Sequence, residues 1–471
     1  MRIHSPLSTV YLFLLLSLIL LSPSYMQALG QAGFNVYPEK LSGNVIRVGA
    51  TVSLSGEYSI EGSASLCGLK AAIDWVNSKG GVEVGGLRYM LQLVYQDDGS
   101  DPSKVKRLYQ ALAEEGVSFY ISPYGSYLLE AAEAGIRGYP AIMYSYTPVP
   151  DRVFKSTLGD FIVSVASSLD SRADTVTSMI AEVDPAAGIG VFYIDNPYGV
   201  EYLSHITSLA EDRMLRVVYQ RDYGMVEEVT DAIYSIKANK PDVLILVPQS
   251  ISDSSRMTKA IYEEGVSLKL LVIDGVASFP IFYTNLSAVA AENIAGISEW
   301  EPGKGLYNPQ AAASLGVEWY GPSEEEILEY HRKHCIIQPN WISMGAAASI
   351  ILLAKALEDS GSLKFIDVKD AITRMSIMTF YGLFDVDEEG KQVGHKPVII
   401  QWREGDKTIV YPESLRESKL SYPASNWWRP PTPTSRETVL EEERGLNLGL
   451  PIIAAILAVI LIVIVIVARR R

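Results

Sequence analysis

From residue 45 to residue 273 the sequence alternates between short, continuously apolar runs and longer segments with helical spacing. Val45 to Val52 (VIRVGATV) and Met90 to Tyr95 (MLQLVY) are predicted strands, with a predicted helix from about Ala64 to Asn77 between them, ending in Lys79-Gly80-Gly81. Strand, helix and strand in that order imply a parallel unit with a right-handed crossover. The pattern continues with a helix over Lys104 to Glu115, started by Asp101-Pro102, a strand over Val117 to Ile121, a helix including Glu130 to Gly135, and a strand over Ala141 to Tyr144. A second series follows Thr157. Its helices are predicted at about Phe161 to Val183, Gly199 to Asp212, Val226 to Ala238 and Ser254 to Glu264. Its strands are predicted at Gly188 to Ile194, Leu215 to Tyr219, Asp242 to Val247 and Lys269 to Ile273. Strands without polar alternation are those of a parallel sheet covered by helices on both faces. The fold class is therefore α/β, with two doubly wound parallel-sheet lobes joined by a hinge.

Both ends of the 471-residue chain lie outside that pattern. Residues 1–30 read as a signal peptide: Arg2, an apolar stretch from Val10 to Leu21, then Ala28-Leu29-Gly30 as a small-x-small cleavage site. As an uncleaved anchor the apolar stretch is too short to span a bilayer comfortably. Leu450 to Ala468 carries no charge and is closed by Arg469-Arg470-Arg471, the pattern of a C-terminal transmembrane helix with a cytoplasmic arginine tail. The body of the protein is then expected at the cell surface, on the extracytoplasmic face. Residues 412–449, with Trp427-Trp428-Arg429-Pro430-Pro431 and Glu441-Glu442-Glu443, read as a Pro/Glu-rich tether.

A net charge of −15 argues against nucleic acid as a partner. Sequence gives no ground for pairing Cys67 with Cys335, and both are read as thiols, buried or exposed. His331, His334 and Cys335 could share one helix face, but no fourth ligand is evident, and the stretch reads as a basic helix end and not a metal site. Asp385, Asp387 and Glu389 before Gly390 lack the spacing of a calcium loop and read as a hairpin turn. Asn285-Leu286-Ser287 is a glycosylation sequon. No nucleophile elbow, zinc-protease or phosphate-loop motif is present, so neither enzyme activity nor a cofactor is expected.

In doubly wound sheets, ligands sit beyond the carboxyl ends of the strands. The residues there are Ser53 to Gly56, Ser122 to Ser126 and Ser145 to Pro148 in the first lobe, and Asp195 to Gly199, Pro248 to Ser250 and Asp274-Gly275 in the second. Hydroxyls and glycines on one side suit an anion, and an aromatic ring and a carboxylate stand on the other.

These residues, in order, give a resemblance. Thr51 to Gly56 with Gly62 and Asn77-Ser78-Lys79-Gly80-Gly81-Val82, the acidic segment Asp97 to Pro102, and Ile121 to Ser126 match the branched-chain amino acid and amide binding proteins of ATP-driven importers, a type I periplasmic-binding fold. So do Gly138-Tyr139-Pro140 with Ser145-Tyr146-Thr147, Asp195 to Gly199, and Phe380-Tyr381-Gly382 with Phe384 to Gly390. The resemblance spans about residues 44 to 411. It implies that Ser126, Ser145 and Thr147 hold a ligand carboxylate, while Tyr198 and Asp274 meet the ligand from the second lobe, Asp274 pairing with its α-ammonium. Glu61 stands where the family often has an aromatic or apolar residue bordering the ligand. Two readings of it stay open: selection of a polar or basic ligand, or a side chain pointing to water.

The resemblance also implies chain crossings near Ser156 to Leu158, Ser298 to Pro302 and Thr379 to Gly382, so that lobe 1 comprises 44–157 and 299–379 and lobe 2 comprises 158–298 and 380–411. The implied partners are an amino acid or amide ligand and an importer permease with ATPase subunits. A sensor ectodomain acting through a partner subunit, and a secreted α/β hydrolase, are the rival readings.

Overall fold

Runs of apolar, often β-branched residues become the strands of two sheets, and the intervening helices cover both faces of each. The computed structural model describes residues 33–155, 160–224 and 229–428. The first sheet contains β1 (Asn35–Tyr37), β2 (Asn44–Val52), β3 (Val82–Val84), β4 (Leu87–Asp97), β5 (Phe119–Ile121), β6 (Ala141–Ser145) and β7 (Asp160–Ser164), in the order β1-β4-β2-β5-β6-β7 with β3 beside β4. Its connecting helices are α1 (Ser59–Ser78), α2 (Pro102–Glu114) and α3 (Ser126–Ile136). The β4-β2-β5-β6-β7 strands are parallel, with β2 and β4 in register from Asn44 opposite Tyr89 to Val52 opposite Asp97.

The second sheet is fed by α4 (Leu169–Val183), β8 (Gly188–Ile194), α5 (Pro197–Asp212), β9 (Arg216–Tyr223), α6 (Val229–Asn239), β10 (Val243–Val247), α7 (Ile251–Glu263), β11 (Leu270–Ile273) and β12 (Ala295–Ser298). The chain then returns to the first lobe through β13 (Glu318–Trp319), α8 (Glu324–His334), α9 (Trp341–Ser360), α10 (Phe365–Arg374), β14 (Ser376–Thr379) and β15 (Gly382–Asp385). It ends in the second sheet with β16 (Val398–Arg403) and β17 (Asp406–Tyr411), giving the order β17-β16-β12-β11-β10-β8-β9. In both sheets the parallel strands run second, first, third, fourth, fifth. That places a topological switch point beside β5 in one lobe and beside β10 in the other.

α9 fills the first lobe. Among the described residues it is the helix long and apolar enough to cross a membrane, yet 89% of its apolar window is buried inside the fold. Asn340 and Ser343 form a capping box at its start, and Gly361 ends it in the left-handed region at φ 56°. It packs on α1 so closely that a Cβ on Gly68 would lie 1.7 Å from the Ser343 carbonyl oxygen.

Three expectations about elements and crossings change. Phe161 does not begin a helix: Asp160–Ser164 is β7, paired with β6, and the helix starts at Leu169. So short an apolar run as Phe161-Ile162-Val163 fits either element, and pairing to the sheet edge decides it here. The expected crossing at Ser156 to Leu158 lies outside the described residues, and the division expected at 157/158 moves to a point after Ser164. Gly382–Asp385 pairs with β14 in a small three-stranded sheet, so the third crossing lies between Asp385 and Val398 and not near Thr379 to Gly382.

The cysteines are not free thiols. Cys67 on α1 and Cys335 at the end of α8 form a disulfide with Cα atoms 5.8 Å apart, joining two segments separated by 268 residues. Its neighbour His331 is buried, and burial pushes its imidazole down to about 4, while His334 turns away to Asp74 at 2.8 Å.

The tether does not begin at Pro412. Residues 412–428 pack on the second lobe: Ala424 N–H donates to the Lys269 carbonyl at 2.8 Å, and Trp427, 1% exposed, sits against Tyr262 with ring centroids 5.1 Å apart. Residues 1–30, 429–449, 450–468 and 469–471 fall outside the described residues. Because Trp427 is a core side chain, Trp427→Ala is expected to cost about 3–5 kcal/mol, read as a lower urea midpoint with a fluorescence or circular dichroism probe.

Candidate ligand-binding site

The first-lobe wall is built where β5 ends. Ser122-Pro123-Tyr124 leads to Gly125, whose φ of +84° turns the chain into α3 without a side-chain cap. The first-turn N–H groups of α3 are left for an external acceptor at the positive end of an eleven-residue helix. Ser126 and Thr147 stand beside them on the wall of a cleft. Ser145 lies just behind: its hydroxyl donates to the Thr147 carbonyl at 2.9 Å and sits 3.2 Å from the Ser122 hydroxyl. It positions the Thr147 turn and is not on the wall.

The second-lobe wall follows β8 and β11. Asn196 caps α5 by accepting from Gly199 N–H at 2.9 Å, with Pro197 in the first turn, which presents Tyr198 to the cleft. The Tyr198 hydroxyl donates to Asp274 Oδ2. Asp274 Oδ1 accepts twice from Arg172, from Nη2 at 2.5 Å and Nε at 3.1 Å, while Arg172 Nη1 donates to Glu299 Oε1. Glu299 also accepts from Ser167 N–H at 3.0 Å and the Ser167 hydroxyl at 2.7 Å, and His395 Nε2 lies 3.2 Å from its Oε2. Burial alone would raise the Glu299 carboxyl, but the Arg172 charge and the His395 hydrogen bond outweigh it and bring it down to about 2. Burial and the neighbouring Asp274 charge push the Tyr198 phenol well up, so it stays a donor.

Ser126, Thr147, Tyr198 and Asp274, far apart in sequence, thus line one cleft. Glu61 does not border it and does not point to water. The side chain is 1% exposed, and Oε1 accepts from Ile251 N–H at 2.8 Å across the cleft, at the start of α7. Its neighbours make the same crossing: Glu57 to the Ser250 hydroxyl at 2.5 Å, and Gln249 to the Tyr58 hydroxyl at 2.9 Å.

Sequence reading placed Gln249 past a strand end but missed Arg172, Tyr58 and Trp341 on the walls. A signal for Arg172 was present. Leu169, Arg172, Ala173, Val176 and Ile180 form the buried stripe of α4, so the one charge on that stripe needed a buried partner.

A model of the family described as periplasmic binding protein matches residues 45–407. The chain belongs to that family. Periplasmic binding proteins of this type bind solutes and are not enzymes. Among curated relatives, a Leu/Ile/Val-binding protein homolog 8 from Brucella abortus is 22% identical over 397 residues, covering 80% of this chain and 93% of the relative. Homolog 7 from the same organism is 21% identical over 394 residues, covering 80% and 94%. Among solved structures, the branched-chain amino acid transporter substrate binding protein LivJ from Streptococcus pneumoniae, in complex with isoleucine, shares the fold. It aligns with a TM-score of 0.63 at 19% identity, over 78% of this chain and all of that one. An ABC transporter solute binding protein from R. palustris, in complex with benzoate, aligns with a TM-score of 0.64 at 16% identity, over 83% of this chain and all of that one.

Within this periplasmic binding protein, Glu61 gives the cleft a pH dependence. Burial raises its carboxyl to about 7, only partly offset by the Ile251 N–H, with Glu57 adding to the rise and Tyr58, Tyr124 and Tyr146 the other titratable groups nearby. In the unfolded chain the same carboxyl titrates near about 4.3. The folded form therefore binds the extra proton between those values, so stability is full below pH ~4.3, falls as pH rises, and reaches its lower plateau above pH ~7. Urea midpoints across that window should show the slope in the native protein. Glu61→Gln should flatten it, with a gain of up to about 3 kcal/mol in alkaline buffer.

Proposed function

We propose that this periplasmic binding protein captures an amino acid, branched-chain or related, between two closing lobes and delivers it to the permease of an ATP-driven importer. The observation that carries this reading is the pairing of opposite chemistries across one cleft. Neutral donors from Ser126, Thr147 and the α3 amides face Asp274 and Tyr198. The carboxylate of a zwitterion takes the first set, with Ser145 bracing the turn, and its α-ammonium takes the second. Such contacts gain strength when closure excludes water. The apolar remainder of the walls, Tyr58, Tyr124, Ile194, Val276 and Trp341, receives the side chain. LivJ, with isoleucine bound, and the Leu/Ile/Val-binding protein homologs support an amino acid as the solute.

Closure favours the ligand state because several contacts exist only when both lobes meet it. The Glu61, Glu57 and Tyr58 bridges to the α7 entrance, and Trp341 Nε1 donating to the Gly275 carbonyl at 2.8 Å, are the protein's own part of that closure. Residues 1–30 export the chain, and the segment 450–468 anchors it in the membrane, with the body of the protein on the extracytoplasmic side.

Thermal unfolding of the full chain against amino acids, amides and plain carboxylic acids tests the capture. A ligand at a hundred times its dissociation constant adds about 2.7 kcal/mol, a shift of a few degrees, which Thr147→Ala and Asp274→Ala should each abolish. A folded sample that shifts with no amino acid would overturn the reading. Anchoring is tested by expression: the full chain should stay with membranes through an alkaline wash, and a chain cut after Trp428 should be recovered in solution.

A further inference from the structure

Among its two carboxylates and one guanidinium, the ion network behind the second-lobe wall holds more negative than positive charge. Arg172 contributes one positive charge and is 1% exposed; Asp274 and Glu299 contribute two negative ones and are buried with it. The phenols that face the network, Tyr198 and Tyr202 beside Asp274 and Tyr381 and Tyr307 beside Glu299, are pushed up by burial and by those carboxylates, and stay neutral. His395 is the imidazole in contact, at 3.2 Å from Glu299 Oε2. An uncompensated buried charge is costly, and a cation on the solute removes the excess.

The same network reaches every chain crossing. Glu299 itself stands in the second, after β12; Ser167, bonded to it through backbone and side chain, stands in the first; His395 stands in the third. Asp274 gives Oδ1 to Arg172 twice and takes only the Tyr198 hydroxyl on Oδ2, which leaves that oxygen capacity for a further donor.

We propose that Arg172 and Glu299 are positioning residues that set the charge class of the solute and tie its recognition to the hinge. Arg172 fixes Asp274 with Oδ2 open to the ligand, Glu299 fixes Arg172 and gathers the crossings, and the excess negative charge selects a solute bearing a cationic nitrogen over the matching plain carboxylate. The proposal rests on the amino-acid reading above and adds the residues that enforce it.

The test uses the full chain in detergent, in mildly alkaline buffer, with two probe pairs: L-leucine against 4-methylpentanoate, and L-phenylalanine against 3-phenylpropanoate. The wild-type protein should bind the amino acid of a pair more tightly than the acid. Glu299→Gln, which removes one negative charge, should shrink that preference by about tenfold or more, mainly through weaker amino-acid binding. Ser167→Ala, which leaves the charges in place, should keep the preference. An equal loss for both members of a pair in Glu299→Gln would mean a merely structural role and overturn the proposal, as would wild-type preference for the plain acid. Spin labels at the exposed positions Leu87 and Met214, one in each lobe, give a readout without ligand. Glu299→Gln and, more weakly, Ser167→Ala should broaden the interlobe distance distribution. If no probe binds the wild type, the amino-acid reading fails, and an unchanged distance distribution then sinks the relay as well.

Discussion

A guanidinium cannot be buried alone, and the burial of Arg172 organises the centre of this protein. Its fork demands two carboxylates, and they come from the loops after β11 and β12, where the carboxyl ends of a parallel sheet face the cleft. Glu299 then has lone pairs left, and these are met by Ser167 and His395 from the other two crossings. A buried pair of this kind adds little net stability compared with a packed apolar core, but removing one partner leaves a naked charge. Its value here is geometric. Three separate strands of chain are held to one carboxylate, so the hinge has a defined pivot. Lys391, in the third crossing, repeats the theme nearer the surface by bridging Asp151 and Asp170 at 2.9 Å each.

The mouth of the cleft is held differently. There the start of α1 reaches the start of α7, and every acceptor or donor in the set is matched to a helix end: the Glu61 carboxylate meets a first-turn N–H of α7, where the helix dipole favours negative charge. Yet Glu61 Oε2 has no hydrogen-bond partner, and burial raises its carboxyl to about 7. The back of the cleft is thus a pivot of ion pairs gathered on Arg172 and Glu299, and the front is a half-satisfied, titratable contact. Opening at the front exposes a group that gains from water, whereas the back has little to gain from parting.

Much of this is legible because parallel strands are apolar on both faces, so β8 is read to the residue and the cleft segments are placed past strand ends, while the family resemblance singles out Ser126, Thr147, Tyr198 and Asp274 within them. What failed failed for stated reasons. β7 was absorbed into a helix because FIVSV has no period of its own. Trp427 was assigned to a tether because the prolines beside it dominated the composition, although a tryptophan pair before them is an odd feature for solvent. The disulfide joins residues 268 apart, a pairing that only the packing of α8 on α1 creates. Glu61 follows neither of the two readings its position leaves open, and Arg172 is passed over by the sequence reading; both are buried because partners from another element reach them.

The two lobes share one strand order but divide the chemistry unequally, and the division follows from what each wall must endure when empty. Neutral hydroxyls and helix amides can face water in an open cleft without penalty and still be aimed for a carboxylate. A lone aspartate could not be kept in place so easily, since it would swing toward solvent or a stray cation. Pairing it in advance with Arg172 and Tyr198 keeps it aimed while the cleft stands open, so the ordering cost is met in folding and not at each binding event. In the proposed capture, the second lobe can carry the charged half of recognition because its charges are already tied to the chain crossings through Arg172 and Glu299.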